Sequence, residues 1–171
     1  MNILSLYGSH DSSATFLDKN RELVVLEYER IAKQRYAAFN KGAQIFDHVG
    51  TTNEQRKDFL DYIDSVIISE PELVLHNQMC ADDIAQFKTY WPNAEYREVS
   101  WHHISHAACG YFQSSFDDAL IISADGGGVD EGVSTTTKVF SGSGNEIKPV
   151  SHIRIDFGAA YGKIGFPIKE I

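Results

Sequence analysis

The chain has 171 residues, 43% of them hydrophobic and 23% charged, and this composition is typical of a soluble globular protein that buries a core. The formal net charge is −9 and the lysines and arginines are scattered, which argues against nucleic acid as the main partner. Two cysteines do not make a disulfide framework, and no apolar run reaches the roughly 18 residues of a membrane span. We therefore expect a cytoplasmic protein with no nucleic-acid or membrane partner.

The first part of the chain predicts a three-stranded meander followed by an amphipathic helix. Apolar and β-branched runs between turn residues predict strands at 2–7, 14–18 and 21–30. The turn after the first strand reads GSHDSS. The segment around Gly42 predicts a loop, and a capping box at 51–54 before apolar residues at helical spacing predicts a helix over 52–67. Weaker patterns predict a strand at 72–76, a helix at 82–90 and a strand at 95–100.

Three histidines, His102, His103 and His106, open a segment whose apolar spacing predicts a helix over 102–112. On a helix His102 and His106 are one turn apart on the same face, a spacing that suits two ligands of one zinc or divalent iron ion. His103 points about 100° away. It could support the site or contact a substrate. The alternative is that all three are ordinary exposed or hydrogen-bonded helix histidines.

The last part of the chain predicts a second meander. A buried strand at 119–125 leads into a glycine-rich turn at 126–132, and further strands are predicted at 133–142 and 146–156, with a helix at 157–165. Asp125 could coordinate a metal, directly or through water. Successive N–H groups of Gly126, Gly127 and Gly128 could form a nest for phosphate. The alternative is a glycine-rich hairpin turn with a capping aspartate.

The two ends of the chain share one plan, an apolar strand, a turn rich in Gly with Asp or Ser, a second strand, a short turn and a third strand. This repeat predicts duplicated lobes with a cleft between them, where the two first turns face each other. In the first of these turns His10 could act as acid or base, with Asp11 orienting it. Ser12 could donate a hydrogen bond to phosphate. The alternative for these residues is a polar β-turn.

Three stretches together resemble the O-carbamoyltransferases of the nodulation-factor and antibiotic-tailoring type, SLYGSHDSSATFLD, LEYERIAKQRY and HHISHAACGYFQSSFDDALIISADGGG. The resemblance implies an α/β protein with the actin-like, Hsp70-like (ribonuclease H-like) ATPase fold. Its first lobe would be 1–118, and 119–171 would be the truncated start of the duplicate. The resemblance also implies a relation to the tRNA threonylcarbamoyl transferases.

Carried over residue by residue, the resemblance implies iron or zinc on His102 and His106, with Asp125 as the matching acidic residue. It implies that ATP and carbamoyl phosphate form a carbamoyl-adenylate, whose carbamoyl group passes to the hydroxyl of a small-molecule acceptor. We therefore predict His10 and Asp11 as catalytic residues. We predict Ser12, Gly126 and Gly127 as cofactor-binding residues.

The family chains are several times longer, so we expect a further metal carboxylate and an adenylate-forming domain beyond Ile171. We do not expect this chain to complete the reaction alone, and its exposed half-lobe favours a homodimer. Two alternatives remain at this point. One is a non-catalytic nucleotide-binding or interaction module of the same fold, and the other is a sugar-kinase-like ATPase.

Overall fold

A computed structural model describes residues 1–40, 51–130, 132–153, 156, 157 and 160. Strands and helices mix throughout, which confirms the α/β class. The chain divides into two compact units, Met1–Val99 and Ser100–Ile171. The predicted lobe boundary after residue 118 concerns an internal duplication and stays a prediction. The loop predicted around Gly42 and most of the helix predicted at 157–165 lie outside the described residues.

The first unit is built on a five-stranded mixed sheet in the order β3-β2-β1-β4-β5. The predicted opening meander is confirmed, since β1 pairs antiparallel with β2 and β2 with β3, while β4 runs parallel to both β1 and β5. Its elements are β1 (Ile3–Tyr7), β2 (Ser13–Leu17), β3 (Leu23–Glu27), α1 (Tyr28–Ala32), α2 (Asn53–Val66), β4 (Leu73–Asn77), α3 (Ala81–Tyr90) and β5 (Glu95–Glu98).

The third strand is shorter than predicted, because the chain turns into α1 at Tyr28. The Tyr28 ring is fully buried and packs at 4.8 Å from the ring of Phe59 on α2. A strand continued to residue 30 would alternate its side chains across the two sheet faces. The short helix instead buries both Tyr28 and Ala32, and it ends at Lys33, whose φ of 53° is left-handed.

The helix α2 begins with a capping box, as predicted, but the box lies on Thr52 and Gln55, one residue later than the predicted 51–54. The Thr52 hydroxyl accepts a hydrogen bond from the Gln55 N–H at 3.1 Å, and the Gln55 side-chain oxygen accepts one from the Thr52 N–H at 2.9 Å. The buried face of α2 joins one hydrophobic cluster with the sheet and α3. This core is formed by Leu4, Leu6, Ala14, Phe16, Tyr28, Ala32, Ala37, Phe39, Phe59, Leu60, Ile63, Val74, Phe87 and Trp91.

The second unit consists of a helix, α4 (His102–Phe112), packed on an antiparallel meander of β6 (Asp118–Asp130), β7 (Val133–Ser143) and β8 (Glu146–Ile153). Ala107 and Tyr111 are buried on the sheet side of α4. A Cβ at Gly142 of β7 would lie 2.7 Å from the Tyr111 ring, so the ring packs directly on the β7 backbone. The predicted helix and second meander are therefore confirmed.

The sequence pattern predicts a turn for the glycine run after Asp125. This prediction is wrong, because the three glycines lie inside β6. Ala124 pairs with Thr137 and Gly128 pairs with Thr135, so three residues, 125–127, lie opposite Thr136 alone. This is a β-bulge, and glycine accommodates it because Gly127 has a φ of 151°. Pairing then resumes to Asp130, and the hairpin follows it. None of the described helices combines the length and the apolar character needed to cross a membrane.

Candidate metal centre

Three of the predicted site residues converge in the second unit. His102 and His106 lie on the first two turns of α4, and Asp125 lies in the bulge of β6. The Asp125 Oδ2 atom is 2.6 Å from His102 Nε2 and 3.5 Å from His106 Nε2. The two imidazole rings stand edge to face with centroids 4.9 Å apart. The helical spacing that the sequence predicts for the histidines therefore places both rings against the acid that was predicted to join them.

The bulge and the glycine that follows it make this approach possible. A Cβ built on Gly128 would lie 2.0 Å from His102 Cδ2, closer than any side chain allows. The His102 ring therefore rests on the bare backbone of β6. Sequence reasoning linked the glycines to phosphate and missed this role, although a glycine inside a strand pattern is the usual signal for a close backbone approach.

Asp125 is held as a carboxylate. Burial alone would raise its pKa, but hydrogen bonds from His102 and from the Gly126 N–H, together with the charges of His102 and His106, lower the pKa on balance. The Gly126 N–H lies 2.6 Å from Asp125 Oδ1. The side chain is 42% exposed, so solvent can reach the site.

The three residues fit a divalent metal. Two imidazole nitrogens and a carboxylate oxygen suit zinc or divalent iron, and the three ligand atoms lie within 4.8 Å of one another. In a tetrahedral site with bonds of about 2.0–2.2 Å, ligand atoms stand roughly 3.4 Å apart. The 3.5 Å between His106 and Asp125 already meets that spacing. The 2.6 Å hydrogen bond between His102 and Asp125 has to open by about 0.8 Å.

His103 lies between α4 and the sheet and does not reach the surface. Its ring is fully buried, with Nε2 2.7 Å from the Thr135 carbonyl oxygen and Nδ1 3.0 Å from the Ser123 hydroxyl. A carbonyl only accepts, so Nε2 donates to Thr135, and Nδ1 accepts from Ser123. The alternative in which His103 contacts a substrate is wrong, because both nitrogens are engaged inside the protein.

Asp130 is a further residue at this end of α4 that sequence reasoning did not assign. Trp101 stands at the N-cap of α4 without a side-chain cap, and the Asp130 carboxylate takes that place from the end of β6. Its two oxygens lie 3.3 Å from the His103 N–H and 3.5 Å from the Ile104 N–H. The available signal was a helix whose own N-cap residue is not a cap former.

The predicted catalytic pair lies in the first unit, in the turn between β1 and β2. His10 Nδ1 is 2.9 Å from Asp11 Oδ2, and both side chains are about half exposed, at 46% and 59%. Asp11 has a left-handed φ of 58°. Asp11 is therefore within hydrogen-bond distance of the His10 ring, and its orienting role and a catalytic role for the pair stay predictions.

Ser12 is buried at the end of the same turn. Its hydroxyl accepts a hydrogen bond from the Phe39 N–H at 2.8 Å and donates one to the Ser9 carbonyl. It therefore fastens the turn to the segment at Phe39, and a contact with phosphate would require it to exchange these partners. Gly126 and Gly127 have open space where a side chain would stand. Phosphate binding by these three residues stays a prediction.

No model of a known protein family matches the chain. A stretch of 61 residues is 41% identical to an uncharacterized protein, sll1178 of Synechocystis sp. PCC 6803, and this match covers 36% of the chain and 9% of that protein. Among solved structures, full-length HypF in its phosphate- and nucleotide-bound form matches 89% of the chain with a TM-score of 0.53 and 15% identity. The match covers 18% of HypF, so each of the two matches spans less than a fifth of the other protein. The chain therefore shares its α/β fold with part of HypF.

Proposed function

We propose that this chain is the metal-binding N-terminal region of a carbamoyltransferase that acts on a hydroxyl group of a small-molecule acceptor. The observation that carries the proposal is the convergence of His102, His106 and Asp125, the same three residues that the sequence resemblance implies as ligands. The fold shared with HypF, solved with phosphate and nucleotide bound, supports a protein that handles a nucleotide and a phosphate compound.

The same proposal includes the finer fold assignment, an actin-like ATPase with duplicated lobes. Two features support it. The first unit contains a mixed five-stranded sheet, and each unit contains an antiparallel three-stranded meander preceded or followed by helices. The proposed duplication would relate β1-β2-β3 to β6-β7-β8.

In this proposal, water releases phosphate from carbamoyl phosphate, and the resulting carbamate attacks the α-phosphate of ATP, so that pyrophosphate leaves and a carbamoyl-adenylate forms. The acceptor oxygen then attacks the carbonyl carbon of this adenylate. The new carbon–oxygen bond forms as the bond to the adenylate breaks, AMP leaves, and the acceptor hydroxyl loses its proton. A metal on His102, His106 and Asp125 would supply Lewis acidity toward the carbonyl oxygen. A catalytic role for His10, whose Nδ1 is hydrogen-bonded to Asp11, is also part of this proposal, with His10 as an acid–base residue.

Metal binding by the 171-residue chain is the first test, because it needs no substrate. Equilibrium dialysis against Zn²⁺ and Co²⁺ should give one weakly bound ion per chain, because the three residues are only part of the ligand set that the resemblance implies. His102→Ala, His106→Ala and Asp125→Ala should each weaken binding at least tenfold. The matched control is His152→Ala, which removes an exposed histidine of β8 in the same unit. Undiminished binding by the variant that lacks all three ligands would refute the site.

The second test uses the complete protein with metal. Carbamoyl phosphate should stimulate ATP consumption, and a hydroxyl acceptor should become carbamoylated. His102→Ala should abolish transfer while circular dichroism stays unchanged. Full transfer activity in this variant would remove the histidine from the reaction.

The alternative function is a non-catalytic nucleotide-binding module, which the nucleotide-bound state of HypF also favours. It predicts nucleotide binding that is the same with and without His102, and no carbamoyl transfer by the complete protein. Phosphorylation of a sugar without metal at the histidines would instead indicate a sugar-kinase-like ATPase.

A further inference from the structure

We propose that Asp130, paired with Lys138, is a positioning residue for the metal centre. It holds the first turn of α4 on β6 and thereby sets the distance between His102 and Asp125. That a metal binds between His102 and Asp125 rests on the proposed function. That Asp130 holds the first turn of α4 on β6 does not.

Asp130 is a buried carboxylate that is both ion-paired and hydrogen-bonded. Its side chain is 4% exposed, and Lys138 Nζ lies 3.1 Å from Oδ2. The same carboxylate faces the N–H groups of His103 and Ile104, at the positive end of the helix dipole. A buried charge persists only when it is paired and hydrogen-bonded, so these contacts are the condition for Asp130 to be there at all.

The N-terminal turn of a helix depends on such a partner, because its first N–H groups have no acceptor within the helix. In α4 the N-cap residue Trp101 supplies none, and its backbone instead forms an isolated antiparallel bridge to Asp130. The carboxylate and this bridge therefore hold the start of α4 at one point of the sheet. His102 is the first residue of the helix and lies immediately beside that point.

Asp130, which holds the start of α4, and Asp125, the proposed metal ligand, lie on the same strand. Asp125 and Asp130 both belong to β6, and the segment Gly128–Asp130 is paired residue by residue with Val133–Thr135 of β7. This pairing fixes Asp130 relative to Gly128, the residue at the end of the bulge that carries Asp125. When the Asp130 contact is lost, the first turn of α4 can fray, and His102 should move before His106, which lies a turn deeper in the helix.

Three substitutions separate the effect of the Asp130 helix cap from that of its ion pair with Lys138. Asp130→Ala removes the cap and the charge. Asp130→Asn keeps an acceptor for the helix, because Asn and Asp cap about equally well, but leaves Lys138 unpaired. Lys138→Met removes the counter-charge and keeps the carboxylate. The matched control is Glu146→Gln, which breaks an exposed ion pair with Lys148 in the same sheet.

The first readout needs no metal. Amide hydrogen exchange of His103 and Ile104, and the NMR signals of the His102 ring, are compared in the 171-residue chain. We expect exchange at least tenfold faster in Asp130→Ala, an intermediate rate in Asp130→Asn and in Lys138→Met, and no change in the control. Unchanged exchange and unchanged His102 signals in both Asp130 variants would overturn the proposal, whether or not the chain binds metal. If Asp130→Ala does not fold, the exchange rates of Asp130→Asn decide between the two outcomes.

The second readout is Co²⁺ affinity with its visible absorption spectrum. We expect Asp130→Ala to bind at least tenfold more weakly and to show the spectrum of His102→Ala. In the His102→Ala background the same change should have little further effect, since the ligand that it positions is already gone. Equal Co²⁺ affinity in wild type and Asp130→Ala would overturn the positioning role. No Co²⁺ binding by wild type would refute the proposed function, and the exchange data would still decide whether Asp130 clamps the helix.

Discussion

The two units of this chain contain similar meanders with different interiors. In the first unit, β1 and β2 alternate buried and less buried residues and face a cluster of aliphatic and aromatic side chains. The first unit also buries polar side chains, among them the ion pair of Arg56 and Asp83, but most of its described buried residues are apolar. In the second unit the described buried residues are divided evenly between apolar ones, Ala107, Tyr111, Val139 and Phe140, and polar ones, His103, Ser123, Asp130 and Thr137. The outward side chains of β6, such as Leu120 and Ile122, remain more than 60% exposed.

The difference reflects what each interior has to do. Hydrophobic contact is not directional, so the first unit gains stability from area and close packing. Hydrogen bonds have defined lengths and angles, so the polar interior of the second unit fixes where one helix stands on one strand. A site whose atoms have to meet within a few tenths of an ångström needs the second kind of interior.

The largest effect is expected in the apolar core. Phe59→Ala should lower the free energy of unfolding by about 3–5 kcal/mol, because it removes a buried ring that packs against Tyr28 and leaves a cavity. Urea denaturation of the purified chain measures this loss of unfolding free energy. Phe116→Ala, at a residue 67% exposed in the second unit, should stay within about 0.5 kcal/mol. A loss under about 1 kcal/mol for Phe59→Ala would show that the cluster is not the main source of stability.

The polar interior should be nearly as sensitive. His103→Leu removes two hydrogen bonds and leaves the Ser123 hydroxyl without its partner, so we expect a loss of about 2–4 kcal/mol in urea denaturation. His152→Leu, at an exposed histidine of β8, is the control and should change stability little. A stabilising His103→Leu would mean that this network can be replaced by apolar packing and would erase the contrast between the units.

A smaller and more local effect is expected at the backbone beneath the site. Gly128→Ala forces the His102 ring away, so Co²⁺ affinity should fall about tenfold, which corresponds to about 1.4 kcal/mol. Gly126→Ala lies in the same strand with open space around its Cβ and should keep wild-type affinity. If the two variants bind alike, the close approach of His102 to β6 does not shape the site.

The smallest effect concerns the pH dependence of stability. The pKa of Asp125 is lowered from 3.8, so its contribution is fully present above that value and is lost as the pH falls through the lower pKa of the folded state. Asp125→Asn should therefore destabilise the chain at pH 7 by less than about 0.5 kcal/mol, since solvent screens a side chain that is 42% exposed. The difference should shrink as the pH falls below 3.8 and through the lower pKa of the folded state.

Urea denaturation of wild type and Asp125→Asn, at pH 7 and at acidic pH below 3.8, measures this difference in the free energy of unfolding. The control is Asp117→Asn, at an exposed residue. A difference that grew on acidification would reverse the sign and contradict the lowered pKa.

The parts of the fold that depend on neighbours in sequence were predictable. The capping box of α2 is local and was predicted to within one residue, and the apolar spacing of α2 and α4 and the one-turn separation of His102 and His106 are local too. The parts that depend on pairing register were not. The pattern predicted a turn at 126–132, because three glycines favour turns, whereas tertiary pairing with β7 continues the strand through a bulge to Asp130.

The sequence by itself determined which residues are available and how they repeat along each helix and strand, because backbone geometry sets periods of about 3.6 and 2 residues. Only the tertiary structure decided that His102 and Asp125, 23 residues apart, are hydrogen-bonded, and that His103 beside them is buried. The physical reason is that such distances follow from the register of a bulged strand and from the Asp130 contact at the start of a helix. Both arise only when distant segments pack together.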